Sequence, residues 1–139
     1  MSEKTAVNPA ALSALSANLS NIGQTEIGTN STSTASCASG TSTKVSDITL
    51  AAGTWIIVAN AAWGGTSGTG YRQISIGDNA TDPARAVSAV VMPINGKQCN
   101  QQVVRIVTLS ASTSIGVYCL QNSGSTITCY PYVYAVRIK

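Results

Sequence analysis

Residues 54–76 read TWIIVANAAWGGTSGTGYRQISI, and this stretch decides the fold class. Thr54–Trp63 is apolar on both faces of an extended chain. Trp55, Ile57, Ala59, Ala61 and Trp63 fall on one side, and Ile56, Val58 and Ala62 on the other. A loop from Gly64 to Gly70 with four glycines follows, and Tyr71–Ile76 then alternates, Arg72, Ile74 and Ile76 opposing Tyr71, Gln73 and Ser75. Two strands joined by a glycine-rich turn are the reading. Upstream, Val45–Leu50 ends in the turn signal Ala51, Ala52, Gly53. Downstream, a polar loop begins at Gly77, Asp78 and Asn79 and runs through Asp82 and Pro83. Strands are expected at Ala86–Met92, Val103–Leu109, Ser114–Gln121 and Thr126–Ile138, with Asn95–Gly96 and Asn122–Ser125 as turns. Seven or eight short strands without an interior helix predict an all-β, antiparallel sandwich or jelly roll, whose strand order the pattern leaves open.

Residues 1–28 read differently. Asn8 is placed to cap a helix and Pro9 to occupy its first position, while Gly23 is suited to end it. Leu12, Leu15, Leu19 and Ile22, spaced three, four and three apart, make a heptad seam. A helix of about 14 residues is marginal alone in water, so the seam needs a partner. That partner is either its own domain or, the reading carried forward, other copies of the helix in a short parallel neck. Residues 29–44 are rich in Ser and Thr and read as a linker or an edge strand. The head domain is expected over 45–139.

Composition bounds the function. Of 139 residues, 44% are hydrophobic and 9% charged, with no His, no Phe and a net charge of +3. Lacking histidine, the chain cannot build Ser-His-Asp or Cys-His catalysis, or a histidine-containing zinc site. Its five carboxylates are Glu3, Glu26, Asp47, Asp78 and Asp82, a thin supply for paired-acid hydrolysis, so no enzyme is expected. The eight basic residues are dispersed rather than clustered, which argues against nucleic acid. The longest apolar run, Trp55–Trp63, is interrupted by Asn60 and is too short to span a membrane as a helix, and Met1–Lys4 does not open a secretory leader. No membrane insertion and no cofactor are expected.

Cys37, Cys99, Cys119 and Cys129 allow three pairings. Their wide spacing speaks against zinc, and without an export signal buried free thiols are favoured. Cys119 and Cys129 are nearly symmetric about the 122–125 turn and could face each other across a hairpin. Tyr130, Tyr132 and Tyr134, at period two, share one face of the last strand. They suit a core or subunit interface, or else a surface on which sugar rings stack. Trp55 shares the core reading, whereas Trp63, beside Gly64 and Gly65, is expected to reach a loop surface. Asp78, Asn79 and Asp82 lack the spacing of a calcium loop, and Gly64–Gly70 lacks the lysine and following helix of a phosphate cradle.

The runs Ile48–Trp55, Gly70–Ile76, Val107–Ala111, Gln121–Gly124 and Ala135–Ile138 resemble the C-terminal domains of bacteriophage tail-fibre and minor structural proteins. Those domains are similar in turn to the jelly roll of the tumour-necrosis-factor and complement type, which assembles as a trimer. The resemblance covers residues 45–139 and implies a non-catalytic homotrimer. It implies a virion protein, made in the host bacterial cytoplasm, whose partners are other virion proteins and a host cell-surface glycan or protein. The chain departs from that pattern in its strand cysteines and missing phenylalanines. Trimer contacts are expected from Leu12, Leu15, Leu19, Ile22, Tyr130, Tyr132 and Tyr134, and receptor contacts from Trp63, Tyr71, Arg72, Asp78, Asn79, Asp82 and Arg85. A purely architectural knob or decoration protein without a receptor is the alternative, and a depolymerase a distant third.

Overall fold

Threonine, valine and isoleucine recur at period two through most of the chain. In the computed structural model, which describes residues 34–65, 68–77 and 87–138, that pattern yields eight strands. They are β1 (Ala35–Cys37), β2 (Thr43–Leu50), β3 (Gly53–Trp63), β4 (Arg72–Ile76), β5 (Val87–Val91), β6 (Cys99–Leu109), β7 (Thr113–Gln121) and β8 (Ile127–Arg137). Sheet A has the order β1-β8-β3-β6 and sheet B the order β2-β7-β4-β5. All the ladders are antiparallel, and β1 pairs with β8, β2 with β7, β3 with β6, and β4 with β5. Such nesting results when one long hairpin is wound into a two-layer sandwich, which is the order of a jelly roll.

Three expectations change. The 122–125 turn does not close a hairpin, because β7 lies in sheet B and β8 in sheet A. Cys119 and Cys129 therefore meet across the interior rather than along one ladder, their sulfurs 3.2 Å apart. Of the two readings open for residues 29–44, the edge strand holds at Ala35–Cys37, where Cys37 is wholly buried, and what changes is the start of β2, at Thr43 rather than Val45. Lastly, β6 starts at Cys99 rather than Val103, because the ladder with β3 continues to the pair Trp63–Cys99. The helix and seam expected at residues 1–28 lie outside the described residues.

Between the sheets lie Trp55, Trp63, Ile48, Leu50, Ile57, Ile74, Ile76, Ile115, Val117 and Val133. Each large apolar side chain so buried contributes about 1.5–3 kcal/mol relative to leaving it in water. Two glutamines tie the layers together. Gln101 of β6 accepts a hydrogen bond from Trp63 Nε1 (2.8 Å) and donates to the carbonyls of Arg72 (2.9 Å) and Ala89 (3.0 Å) in sheet B. Gln121 of β7 donates to the Cys37 carbonyl in sheet A (2.8 Å) and to that of Ser125 (2.7 Å), and accepts from the Ser123 amide and hydroxyl. Both amides are buried with partners on oxygen and nitrogen, so they fix how the sheets face each other without an unpaired polar cost.

Candidate interaction surface

Because side chains alternate along a strand, the registers of β8, β3 and β6 decide which residues line up on the outside of sheet A. Val136, Ile56 and Ile106 form one row and Tyr134, Val58 and Val104 the next. Tyr132, Asn60 and Gln102 follow, then Tyr130, Ala62 and Asn100. No member of these rows is charged. Ile106 is 65% exposed, Tyr130 51%, Val104 49% and Tyr132 38%. The Tyr132 and Tyr134 rings are tilted by 57° with centroids 5.6 Å apart, an edge-biased packing that orders the two rings. The result is a graded face, aliphatic at the Ile56 end and mixed aromatic and amide at the Tyr130 end. Its aliphatic end costs little to desolvate, its amides and hydroxyls need hydrogen-bond partners when covered, and contiguous apolar surface is seldom left open on a single domain.

The residues that the sequence singles out separate into four groups. Tyr130, Tyr132 and Tyr134 come together on this face, as the period-two spacing requires. Trp63 and Arg72 do not reach any surface. Trp63 is 1% exposed and Arg72 wholly buried, its guanidinium 5.9 Å from the centroid of the Trp63 ring. Arg72 Nη1 donates to the carbonyls of Thr69 (3.2 Å) and Tyr71 (3.1 Å). The receptor role expected of this pair is thus corrected: both point inward between the sheets. The reason was already in the alternation, which places Arg72 on the same side as Ile74 and Ile76. Tyr71 lies half-buried at the loop end of the sandwich, its amide donating to Asn122 Oδ1 (2.6 Å). Gly70 makes that approach feasible, since its φ of 71° suits glycine and it lies against Asn122. Asp78, Asn79, Asp82, Arg85, Leu12, Leu15, Leu19 and Ile22 lie outside the described residues.

Sequence reasoning missed Val104, Ile106 and Gln102 of β6. A signal existed: Val103, Val107 and Leu109 occupy one face and Val104 and Ile106 the other, the same two-faced apolarity that marks β3. No group of side chains that could hold a metal ion is found among the described residues. Their one carboxylate, Asp47, is paired with Lys44 at 3.1 Å on sheet B.

No protein-family model matches the chain, and no curated protein sequence does. Among solved structures it is similar to a carbohydrate-binding module of a Cellvibrio mixtus lichenase in complex with cellotriose, at 13% identity and a TM-score of 0.42 over 85% of this chain and 96% of that one. A family 16 carbohydrate-binding module follows at 16% identity, with a TM-score of 0.34 over 75% of this chain and 72% of the other. An arabinose-bound α-L-arabinofuranosidase aligns at 12% identity and a TM-score of 0.36, covering 81% of this chain but 25% of the enzyme. Nothing in these likenesses supports a phage tail-fibre or tumour-necrosis-factor-type identity. With every score below 0.5, the fold assignment rests on the strand order, and the sugars bound by those proteins carry no argument about a ligand here.

Proposed function

We propose that this chain is a non-enzymatic structural head of a phage virion appendage. It assembles through the outer face of sheet A and presents its loop end to a host cell surface. The observation that carries the reading is the uncharged, exposed face formed by Tyr130, Tyr132, Val104 and Ile106. An uncharged face meets other copies without like-charge repulsion, and its burial between copies would remove from water the apolar area that one sandwich leaves open. The sequence resemblance supports the phage setting and the trimer. The absence of histidine from the sequence and its five carboxylates support the non-catalytic assignment. With Trp63 and Arg72 inside, contacts to a host glycan or protein fall to Tyr71 and its loop neighbours, where Met92 and Ile94 are also exposed. Three weak sites on one trimer gain avidity without further contacts. Light scattering on the full chain tests the assembly: a trimer is expected for the wild type and a folded monomer for Val104→Glu/Ile106→Glu. A monomeric wild type overturns the reading.

One observation favours a second reading. Around Tyr130 and Tyr132 the same face carries Asn60, Asn100 and Gln102, amides that suit sugar hydroxyls beside aromatic stacking planes. In that case the face is a glycan platform on a monomer. Glycan-array binding by the wild type, lost in Tyr132→Ala without a change of mass in solution, would establish it.

A further inference from the structure

The interior holds a cluster that neither assembly nor receptor binding uses. Cys119 of β7 faces inward from sheet B, and Cys129 of β8 faces inward from sheet A, with sulfurs 3.2 Å apart. Cys37 of β1 is within hydrogen-bonding reach of both, and of the Thr43 hydroxyl. All three are wholly buried. Cys99 is set apart: it pairs across β3 with Trp63, whose other neighbour is Cys129, so two strand spacings of about 4.8 Å each separate Cys99 from Cys129. That separation exceeds the Cα reach of a disulfide, roughly 7 Å at most.

We propose that Cys119 and Cys129 are an oxidisable pair that forms a disulfide stapling sheet A to sheet B, with Cys37 as the sulfur that takes the oxidant and hands the bond on. The staple needs only a small movement, since a bonded pair lies about 2.05 Å apart and these sulfurs already touch. Hydrogen bonds from Cys119, then Cys129, with Thr43 adding to them, pull the Cys37 thiol below its ordinary range against the effect of burial. Cys119 is pushed up, first by its hydrogen bond with Cys129, then by Cys37 and burial. In Cys129 the hydrogen bond with Cys119 acts downward, but Cys37 and burial outweigh it and the thiol rises to about 12. Cys37 also lies on the three-residue edge strand β1, the shortest of the three strands that carry these sulfurs, which places it first to meet an oxidant.

With hydrogen peroxide as oxidant, small enough to enter a packed interior on brief openings, the steps balance. The Cys37 thiolate attacks one peroxide oxygen, the O–O bond breaks and hydroxide leaves, giving a sulfenic acid. The Cys129 thiol attacks that sulfur, an S–S bond forms, the S–O bond breaks and water departs. Hydroxide then takes the Cys119 proton, making the second water. The Cys119 thiolate attacks Cys129, forming the cross-sheet disulfide and releasing Cys37 as thiolate. Two thiols and one peroxide become one disulfide and two waters, and Cys37 is regenerated. This inference stands apart from the proposed function, because it needs neither a trimer nor a host ligand.

Peroxide treatment of the reduced full chain, followed by alkylation in denaturant, intact mass and non-reducing peptide mapping, tests the proposal. Expected are a loss of two hydrogens, two alkylated thiols at Cys37 and Cys99, a bond joining Cys119 to Cys129, and a melting temperature raised by roughly 5 °C or more. Cys37→Ser should reach the same product at least tenfold more slowly. Four alkylated thiols, a bond that includes Cys99, or Cys37 stopped as sulfinic acid would overturn the proposal. An unchanged rate in Cys37→Ser would overturn the relay. The wild-type mapping decides the pairing even if that variant folds poorly.

Discussion

The two outer faces of the sandwich are built from the same alternation and have opposite characters. On sheet B, β2 and β7 present Lys44, Asp47, Thr49 and Ser114, and β4 and β5 present Gln73 and Ser88, with Val90 as the exposed apolar residue. Its one large aromatic, Tyr118, is buried, its ring lying over Gly116, where a Cβ would come within 2.7 Å of it. There glycine makes room and the tyrosine closes over the strand. On sheet A the tyrosines stand open instead, beside Val104 and Ile106. A face that covers its own aromatic is finished with water, whereas a face that leaves Tyr130, Tyr132, Val104 and Ile106 exposed together is suited to another surface. Scarcity of charge is thus unevenly distributed, and that unevenness carries the functional reading.

The largest expected effect sits beneath both faces and separates folding from association. Trp63→Ala should lower unfolding free energy by about 3–5 kcal/mol in denaturant titrations, by removing a buried ring and orphaning Gln101. A loss under about 1 kcal/mol together with failed host adsorption would instead return Trp63 to the surface. Next, Ile106→Asp on sheet A should weaken self-association by about 100-fold or more in sedimentation equilibrium, while Thr49→Asp on sheet B leaves it unchanged. Equal effects of the two would break the comparison.

A smaller effect comes from alkaline pH. Cys119, Cys129 and Cys99 are raised above the ordinary thiol value of 9.0, and burial raises Tyr118 above 10.0. A folded-state pKa above the unfolded one gives stability that is present below the unfolded value and is lost as pH rises toward the folded value. Cys37 has the opposite sign, its contribution being lost as pH falls. The four raised groups prevail at high pH, so the urea midpoint of the reduced protein should fall between about pH 8 and 11, and less steeply in Cys119→Ala. A midpoint flat over that range would contradict the buried-thiol arrangement. Smallest of all, Lys44→Ala on sheet B should change stability by less than about 0.5 kcal/mol, because its pair with Asp47 is solvent-exposed.

Much of this was legible in the sequence. Tyr130, Tyr132 and Tyr134 share a face because period two leaves no other choice, and Trp55, Ile57, Ala59 and Ala61 are buried together for the same reason. Arg72 was legible too, but its charge was given more weight than its phase. The guanidinium is accommodated inside by carbonyls from the preceding loop and by the Trp63 ring, partners no pattern reveals. β1 was harder, because three residues of Ala, Ser and Cys carry no periodic signal and are held by pairing with β8, some 90 residues later.

Sequence by itself determined the class, the strands from β2 to β8 and which residues face together, since these follow from local alternation and from glycines that interrupt it. It also determined that few charges are available for catalysis. Only the tertiary structure decided which strands are neighbours, and therefore that β8, β3 and β6 pool their outward residues into one uncharged face. It decided likewise that Cys37, Cys119 and Cys129 meet. The physical reason is range: alternation acts over two residues, whereas the jelly-roll winding joins strands tens of residues apart through ladders and buried amides that no short window of sequence contains.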